Sequence, residues 1–331
     1  MNASTYGAAK TDASFRAVQR LLLQGIPGAR PLDDDGLALE QRAAAAEPPR
    51  TVAARVIEGS VLRARPVLGA PAAAFAAFLD GTQRSRVLHY HDGLPIVHGT
   101  VAAVVRVRIA RRLVTWRKPA VESAAYAPCA FLPPSVPALL RESGIAVVDT
   151  TRPDASGEIP NRHPFTLLER AVHMVQEARE RVERTLAERW CDGESAPLFI
   201  DGGLSGSERV ASSSCTVGIV KSHRTLYADG DVLATVLGLA CGERSSVFRL
   251  TPLRRAPVAS WYLRVRARGG HDPLWGLVRV EAAETDRMTE RADEVSRWVL
   301  AETAPLSLPD GRWDKMAYGI RDCEEFLKAI C

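Results

Sequence analysis

The stretch that decides the fold is Pro197–Tyr227, PLFIDGGLSGSERVASSSCTVGIVKSHRTLY. Leu198, Phe199 and Ile200 lead into Asp201, and Gly202 and Gly203 follow. A short apolar run closed by glycine reads as a buried strand. A lone carboxylate at the end of such a strand is costly to bury, so it calls for a cation or a metal as partner. A second strand, Thr216–Val220, ends on Lys221. Upstream, Ala73–Leu79 closes in the same manner as the first, on Asp80-Gly81. Two apolar strands that each stop at Asp-Gly place two carboxylates at one end of one sheet.

Around these landmarks the chain reads as an α/β protein. Ala73–Leu79, Arg86–Tyr90 and Val97–Ile109 form an expected three-stranded meander, turned at His91-Asp92-Gly93, a hairpin signal. His163-Pro164 opens a helix that runs to about Trp190 and delivers the chain into the Asp201 strand, which returns parallel to the first strand of the meander. That helix carries Glu169, Glu177, Glu180, Glu183 and Glu188. Leu168, Val172, Val175, Val182 and Leu186 fall on one stripe, and position 179, which completes it, is arginine. At about 100° per residue, Glu183 lies closest to the stripe and Glu177 nearly opposite. Arg179 and Glu183 are i, i+4 neighbours. The pattern alone admits either a polar pocket beneath the helix or an ordinary amphipathic helix with a snorkelling arginine. If Asp80, Glu183 and Asp201 converge, they make a hard oxygen site suited to Mg²⁺ or Mn²⁺. Two such ions can activate water and stabilise the leaving oxygen in phosphodiester hydrolysis.

The remainder of the 331 residues supplies context. Residues 1–65 read as a partly helical N-terminal arm, with a helix over Thr11–Leu23, an acidic turn at Asp33-Asp34-Asp35 and a further helix over Gly36–Ala46. Residues 66–331 read as the main domain, with a proline- and alanine-rich insertion at about 117–162 holding one short helix and one short strand. Later come strands at Val247–Leu250, Trp261–Arg268 and Leu274–Glu281, and helices at Gly230–Leu239, Arg287–Thr303 and Asp322–Ile330. The net charge of +4 says little about nucleic acid by itself. The six cysteines are scattered with no CxxC pair, which supports neither a zinc site nor a disulfide framework and fits a reducing cytoplasm. The polar N-terminus lacks a signal-type apolar stretch, and the most apolar segment is too short for a bilayer, so the expectation is a cytoplasmic protein with no membrane segment.

Four segments together resemble the NurA nucleases, which work with the hexameric HerA ATPase-translocase on DNA ends. They are FLDGTQRSR (Asp80-Gly81), RERVE (Arg179 with Glu183), LFIDGGLSG (Asp201-Gly202) and VGIVKSHRTLY (Lys221). The resemblance spans roughly residues 65–331. It implies an RNase H-like, Argonaute PIWI-related mixed-sheet core, a Mn²⁺-favouring nuclease and a homodimer that threads DNA. It further implies that Asp80, Glu183 and Asp201 ligate metal and that Lys221 sits near a phosphate. The chain departs from the family at RWDKMAYGIRDCEEFL: Tyr318 matches, but the histidine expected after it is missing. Asp322, Glu324 and Glu325 occupy that region, and Glu324 is the candidate fourth ligand, with Asp322 next.

Other motifs weigh less. Gly203-Leu204-Ser205-Gly206-Ser207 lacks the last glycine of a nucleophile elbow. VGIVKS lacks the glycines of a phosphate loop, so an ATPase would have to come from a partner. His223 shares a strand face with Lys221 and would reach phosphate or metal, or else be structural. Arg264, Arg266 and Arg268 alternate on one strand face, as a phosphate grip or a solvated edge. Trp261, Trp275, Trp298 and Trp313 read as core or interface. The leading expectation is a metal-dependent DNA nuclease in end processing or defence against foreign DNA. The alternatives are a catalytically weakened DNA-binding adaptor on the same motor, and a nuclease acting on RNA or hybrids.

Overall fold

The computed structural model describes residues 3–27, 29, 48–153, 157–304 and 315–331. The acidic turn at Asp33–Asp35, the Gly36–Ala46 helix and Trp313 lie outside them. The helices are α1 (Ala3–Gly25), α2 (Ser135–Glu142), α3 (Pro164–Gly193), α4 (Glu208–Ala211), α5 (Gly230–Leu237), α6 (Met288–Thr303) and α7 (Tyr318–Lys328). Three short strands come first: β1 (Arg50–Thr51), β2 (Arg55–Val56) and β3 (Ala64–Pro66). The central ones are β4 (Ala77–His91), β5 (Leu94–Ile109), β6 (Arg112–Thr115), β7 (Ala120–Ala127), β8 (Val147–Asp149), β9 (Leu198–Asp201) and β10 (Thr216–Val220). The last are β11 (Thr225–Leu226), β12 (Glu243–Ser245), β13 (Phe248–Leu250), β14 (Val258–Arg264) and β15 (Leu277–Ala282).

One mixed sheet runs through the molecule in the order β2-β13-β14-β15-β10-β9-β4-β5-β7-β8. Within it β4, β5 and β7 form an antiparallel meander, and β9 returns parallel to β4, with β10 parallel beyond it. The meander, the connecting helix α3 and the parallel return match the expectation. The composition of the meander does not. Ala73–Leu79 and Arg86–Tyr90 are not two strands but parts of the single strand β4, and Asp80 is its fourth residue rather than its end. The polar run Gly81–Ser85 concealed this continuity, because it lies where α3 and the site come down on the sheet rather than in a turn. The third strand is β7, inside the stretch read as an insertion, which therefore belongs partly to the core. The helix and short strand expected there are α2 and β8.

The strands around β9 are buried on both faces, which is why they read as apolar runs rather than alternations. On one face α3 lays Leu168, Val172, Val175, Val182, Leu186 and Trp190 over Ala77, Leu79, Val101, Ala103, Leu198 and Ile200. On the other, α6 and α7 cover Phe78, Ala102, Val104, Phe199, Val217 and Ile219 with Val295, Val299, Ile320, Cys323 and Leu327. The start of α3 is set by Pro164 in its first turn and by His163 Nδ1, which accepts from the Phe165 N–H at 3.2 Å. A third cluster joins Val18 and Leu22 of α1, and Ile26 just after it, to Leu88, Leu94 and Ile96 at the far end of the β4–β5 hairpin. Among the described residues no helix is long and apolar enough to cross a membrane.

Residues 50–66 are not part of a separate arm. β2 pairs with β13 and β3 with β12, in strands of two or three residues that leave no periodic signal. Their anchor is electrostatic. Glu58, buried between β2 and β3, accepts from Arg244 Nη1 at 2.7 Å and Nη2 at 3.0 Å, and from the Val247 N–H at 2.8 Å. Asp293 of α6 takes Arg244 Nε at 2.6 Å. Removing Glu58 leaves the buried Arg244 guanidinium with Asp293 alone and the buried Val247 N–H without its acceptor. Glu58→Ala is therefore expected to lower stability by about 3–5 kcal/mol, read from chemical denaturation, whereas a loss below 1 kcal/mol would contradict this role for Arg244.

Candidate functional site

The site is built where β4, β9 and β10 run side by side. The register Phe78↔Phe199, Leu79↔Ile200 brings Asp80 and Asp201 next to each other one step further along. Asp80 alternates with Phe78 and so points to the α6–α7 face, where the Cys323 thiol donates to the Phe78 carbonyl at 3.4 Å. β10 continues past Ile219, the partner of Asp201, so that Lys221 Nζ reaches Asp201 Oδ2 at 2.8 Å.

Glu183 arrives from the other face. Its carboxylate lies over Gly81, where an added Cβ would stand only 2.1 Å from Oε1. The glycine after Asp80 thus leaves the space that the Glu183 side chain occupies. Arg179 Nη1 donates to Glu183 Oε1 at 2.6 Å, and Arg179 Nε donates to Gln83 Oε1 at 3.1 Å. Of the two readings of Arg179, the polar pocket is the one observed. Arg179, Arg184, Glu183 and Asp201 line a cleft of about 430 Å³ together with Gly202–Leu204 and the turn residues Arg254 and Arg255. Asp80 is beneath, outside the cleft lining, and 7% exposed.

The charges are unevenly matched. Asp201 has Lys221 and Glu183 has Arg179. Asp80 has the Gly81 N–H at 2.8 Å and, among the described residues, no ion-pair partner. Burial, and then the neighbouring Asp201 charge, push its carboxyl up to about 8 against the pull of Lys221. Burial pushes Glu183 up to about 7, with Arg179 opposing. A buried carboxylate lacking a counter-charge beside a second carboxylate is the donor set of a hard divalent cation. Asp80, Asp201 and Glu183 fit that group chemically. No three His, Cys, Asp or Glu side chains among the described residues already stand in ligating geometry, Glu183 and Asp201 being turned to their own cations.

The other expected site residues fare differently. Glu324 is half-buried on α7, and Asp322 on that helix is taken by Arg106 Nε at 2.5 Å. The α7 residue packed beside Asp80 is Cys323, whose thiol is raised by burial and by the Asp80 charge. Tyr318 is exposed in the first turn of α7. His223 is not aimed at a phosphate. Its Nε2 lies 2.6 Å from the Leu277 carbonyl, and burial lowers its pKa to about 4. Arg264 is not on a solvated or phosphate-gripping face either. It is fully buried at the end of β14, donating to the carbonyls of Leu237, Leu239, Pro273 and Trp275. Arg266 lies past the end of β14 and donates to the Thr303 and Ala304 carbonyls. Alternation of arginines cannot separate charges facing water from charges that cap carbonyls at a chain crossing.

Sequence reasoning missed the support under the Gly202–Leu204 loop. Glu281 of β15, 2% exposed, accepts from the Leu204 N–H at 2.7 Å and from Arg279 Nη1 at 2.5 Å. Gly218 of β10 leaves room for the loop to fold back, since a Cβ there would meet the Gly202 carbonyl oxygen at 2.6 Å. The signal available in the sequence was Arg279 and Glu281 two apart on an otherwise apolar strand, a same-face ion pair.

The Asp80 environment gives a pH-dependent expectation for the metal-free protein. Its carboxyl ionises near 3.8 when unfolded and near 8 when folded, so the favourable contribution is complete below about 3.8 and lost as pH rises towards 8. Glu183 acts with the same sign. Asp80→Asn, which cannot ionise, is expected to melt higher than the wild type in chelator, with a gap that widens from pH 5 to pH 8. Identical melting temperatures across that range would contradict the uncompensated burial of Asp80.

No protein-family model matches the chain, and no curated protein shows a significant match.

Proposed function

We propose that this chain is a metal-dependent DNA nuclease of NurA type on an RNase H-like core. Supporting the fold assignment is the strand order of a three-stranded meander, a helix, and two strands returning parallel to the first. The observation that carries the function is Asp80: buried, without an ion-pair partner among the described residues, and side by side with Asp201 on the next parallel strand. Mn²⁺ or Mg²⁺ held by Asp80, Asp201 and Glu183, with one or two ions, would supply activation of water and stabilisation of the leaving oxygen. Lys221, which now holds Asp201, would be available to a substrate phosphate once that carboxylate has another counter-charge. Arg179 keeps Glu183 over Gly81 and presents its remaining donors to the cleft. Arg184, Arg254 and Arg255 line the same cleft and have no ion-pair partner among the described residues, a footprint suited to a phosphate backbone.

By resemblance, the protein works as a homodimer with a HerA-like hexameric ATPase, in DNA end processing or defence. Glu324 is the acidic residue offered for the fourth ligand position. A second reading, a DNA-binding adaptor with weakened catalysis, is favoured by one observation: the α7 position packed beside Asp80 is a buried cysteine.

The test is cleavage of labelled linear DNA with Mn²⁺ or Mg²⁺. Asp201→Asn is expected to abolish cleavage with circular dichroism unchanged. Near-normal rates in that variant would remove the assignment, and a wild type that binds ends but never cuts, with or without the motor, would favour the adaptor.

A further inference from the structure

The turn between β13 and β14 is built in an unusual way. Leu253 at its tip is 89% exposed, more than any other large hydrophobic side chain among the described residues. The backbone that presents it is held firmly. The Arg255 N–H donates to the Pro252 carbonyl at 3.2 Å, closing the turn. The Ala256 N–H donates to the Ser205 carbonyl at 2.9 Å, tying it to the loop that follows Asp201. Arg254 takes a left-handed conformation at φ +57°, and Pro252 and Pro257 flank the turn. An apolar residue is therefore held out in water on a braced support, next to two arginines that line the cleft over Asp201.

Those arginines choose between occupants. A hydrophobic protein partner would be served by Leu253 alone. Guanidinium groups on both Arg254 and Arg255, without acidic partners among the described residues, favour phosphates. The acidic members of the cleft, Glu180, Glu183 and Asp201, belong to α3 and β9 and not to the turn. An apolar tip beside phosphate-binding arginines is the arrangement by which proteins enter a base step and unstack it.

We propose that Leu253 is a wedge that enters the terminal base step of a duplex, while Arg254 and Arg255 hold the strand led towards Asp201. This rests on the DNA-nuclease function proposed above and assigns it a way of opening blunt ends. The probe is a blunt duplex carrying 2-aminopurine at its terminal pair, bound to saturation by the full chain in chelator. Wild type is expected to raise the fluorescence by unstacking the probe, and Leu253→Ala to lose most of that rise at saturation. Arg254→Ala with Arg255→Ala is expected to weaken binding itself. A rise undiminished in Leu253→Ala overturns the wedge, as does wild-type binding without any rise. An alanine at so exposed a position leaves the core untouched, and circular dichroism verifies it. Because no cleavage is read, absence of nuclease activity in a parallel Mn²⁺ assay would remove the nuclease assignment while leaving the wedge result standing. Failure to bind DNA at all would remove both.

Discussion

The parallel pairing of β4 with β9 is the constraint on which the rest depends. It sets Asp80 beside Asp201 on one face of a sheet that is apolar on both. Two carboxylates in that position repel each other and lose hydration, and only Asp201 has a compensating ammonium. The surrounding features follow from containing this charge. Gly81 gives up its side chain so that Glu183 can approach. Arg179 interrupts an apolar stripe to hold that glutamate. Gly218 and Glu281 shape and pin the loop after Asp201. Without a cation the arrangement costs the folded chain stability, because burial and the Asp201 charge both oppose ionisation of Asp80.

The features legible in the sequence were those with a local cause. Strands buried on both faces give uninterrupted apolar runs, so β9 and β10 were visible from Leu198–Asp201 and Thr216–Val220. A proline after a capping histidine marked the start of α3. Helical phase singled out Glu183, because a long helix keeps its angular register over many turns. The parallel return of β9 followed from the length of helix placed between it and the meander.

What escaped depended on contacts between distant segments. β4 continues through Gly81–Ser85 because β5 pairs along its whole length, which no local propensity reports. β7 sat in a proline- and alanine-rich stretch and is a strand through its pairing with β5. The strands of residues 50–66 exist through β12 and β13 and through the buried Glu58–Arg244 pair. Arg264 is buried because four backbone carbonyls from other elements take its guanidinium, and His223 is turned to the Leu277 carbonyl, contacts that strand alternation does not report. Sequence spacing assigns such residues to a face and is silent on what the face meets.

The most direct measurement is the position of manganese in a crystal of the full chain grown or soaked with Mn²⁺, read from anomalous scattering. The proposed chemistry predicts a peak between Asp80 and Asp201, within ligating distance of both, with Lys221 released from Asp201. Strong anomalous peaks elsewhere, with Asp80 still buried alone and Lys221 still on Asp201 at saturating Mn²⁺, would contradict it.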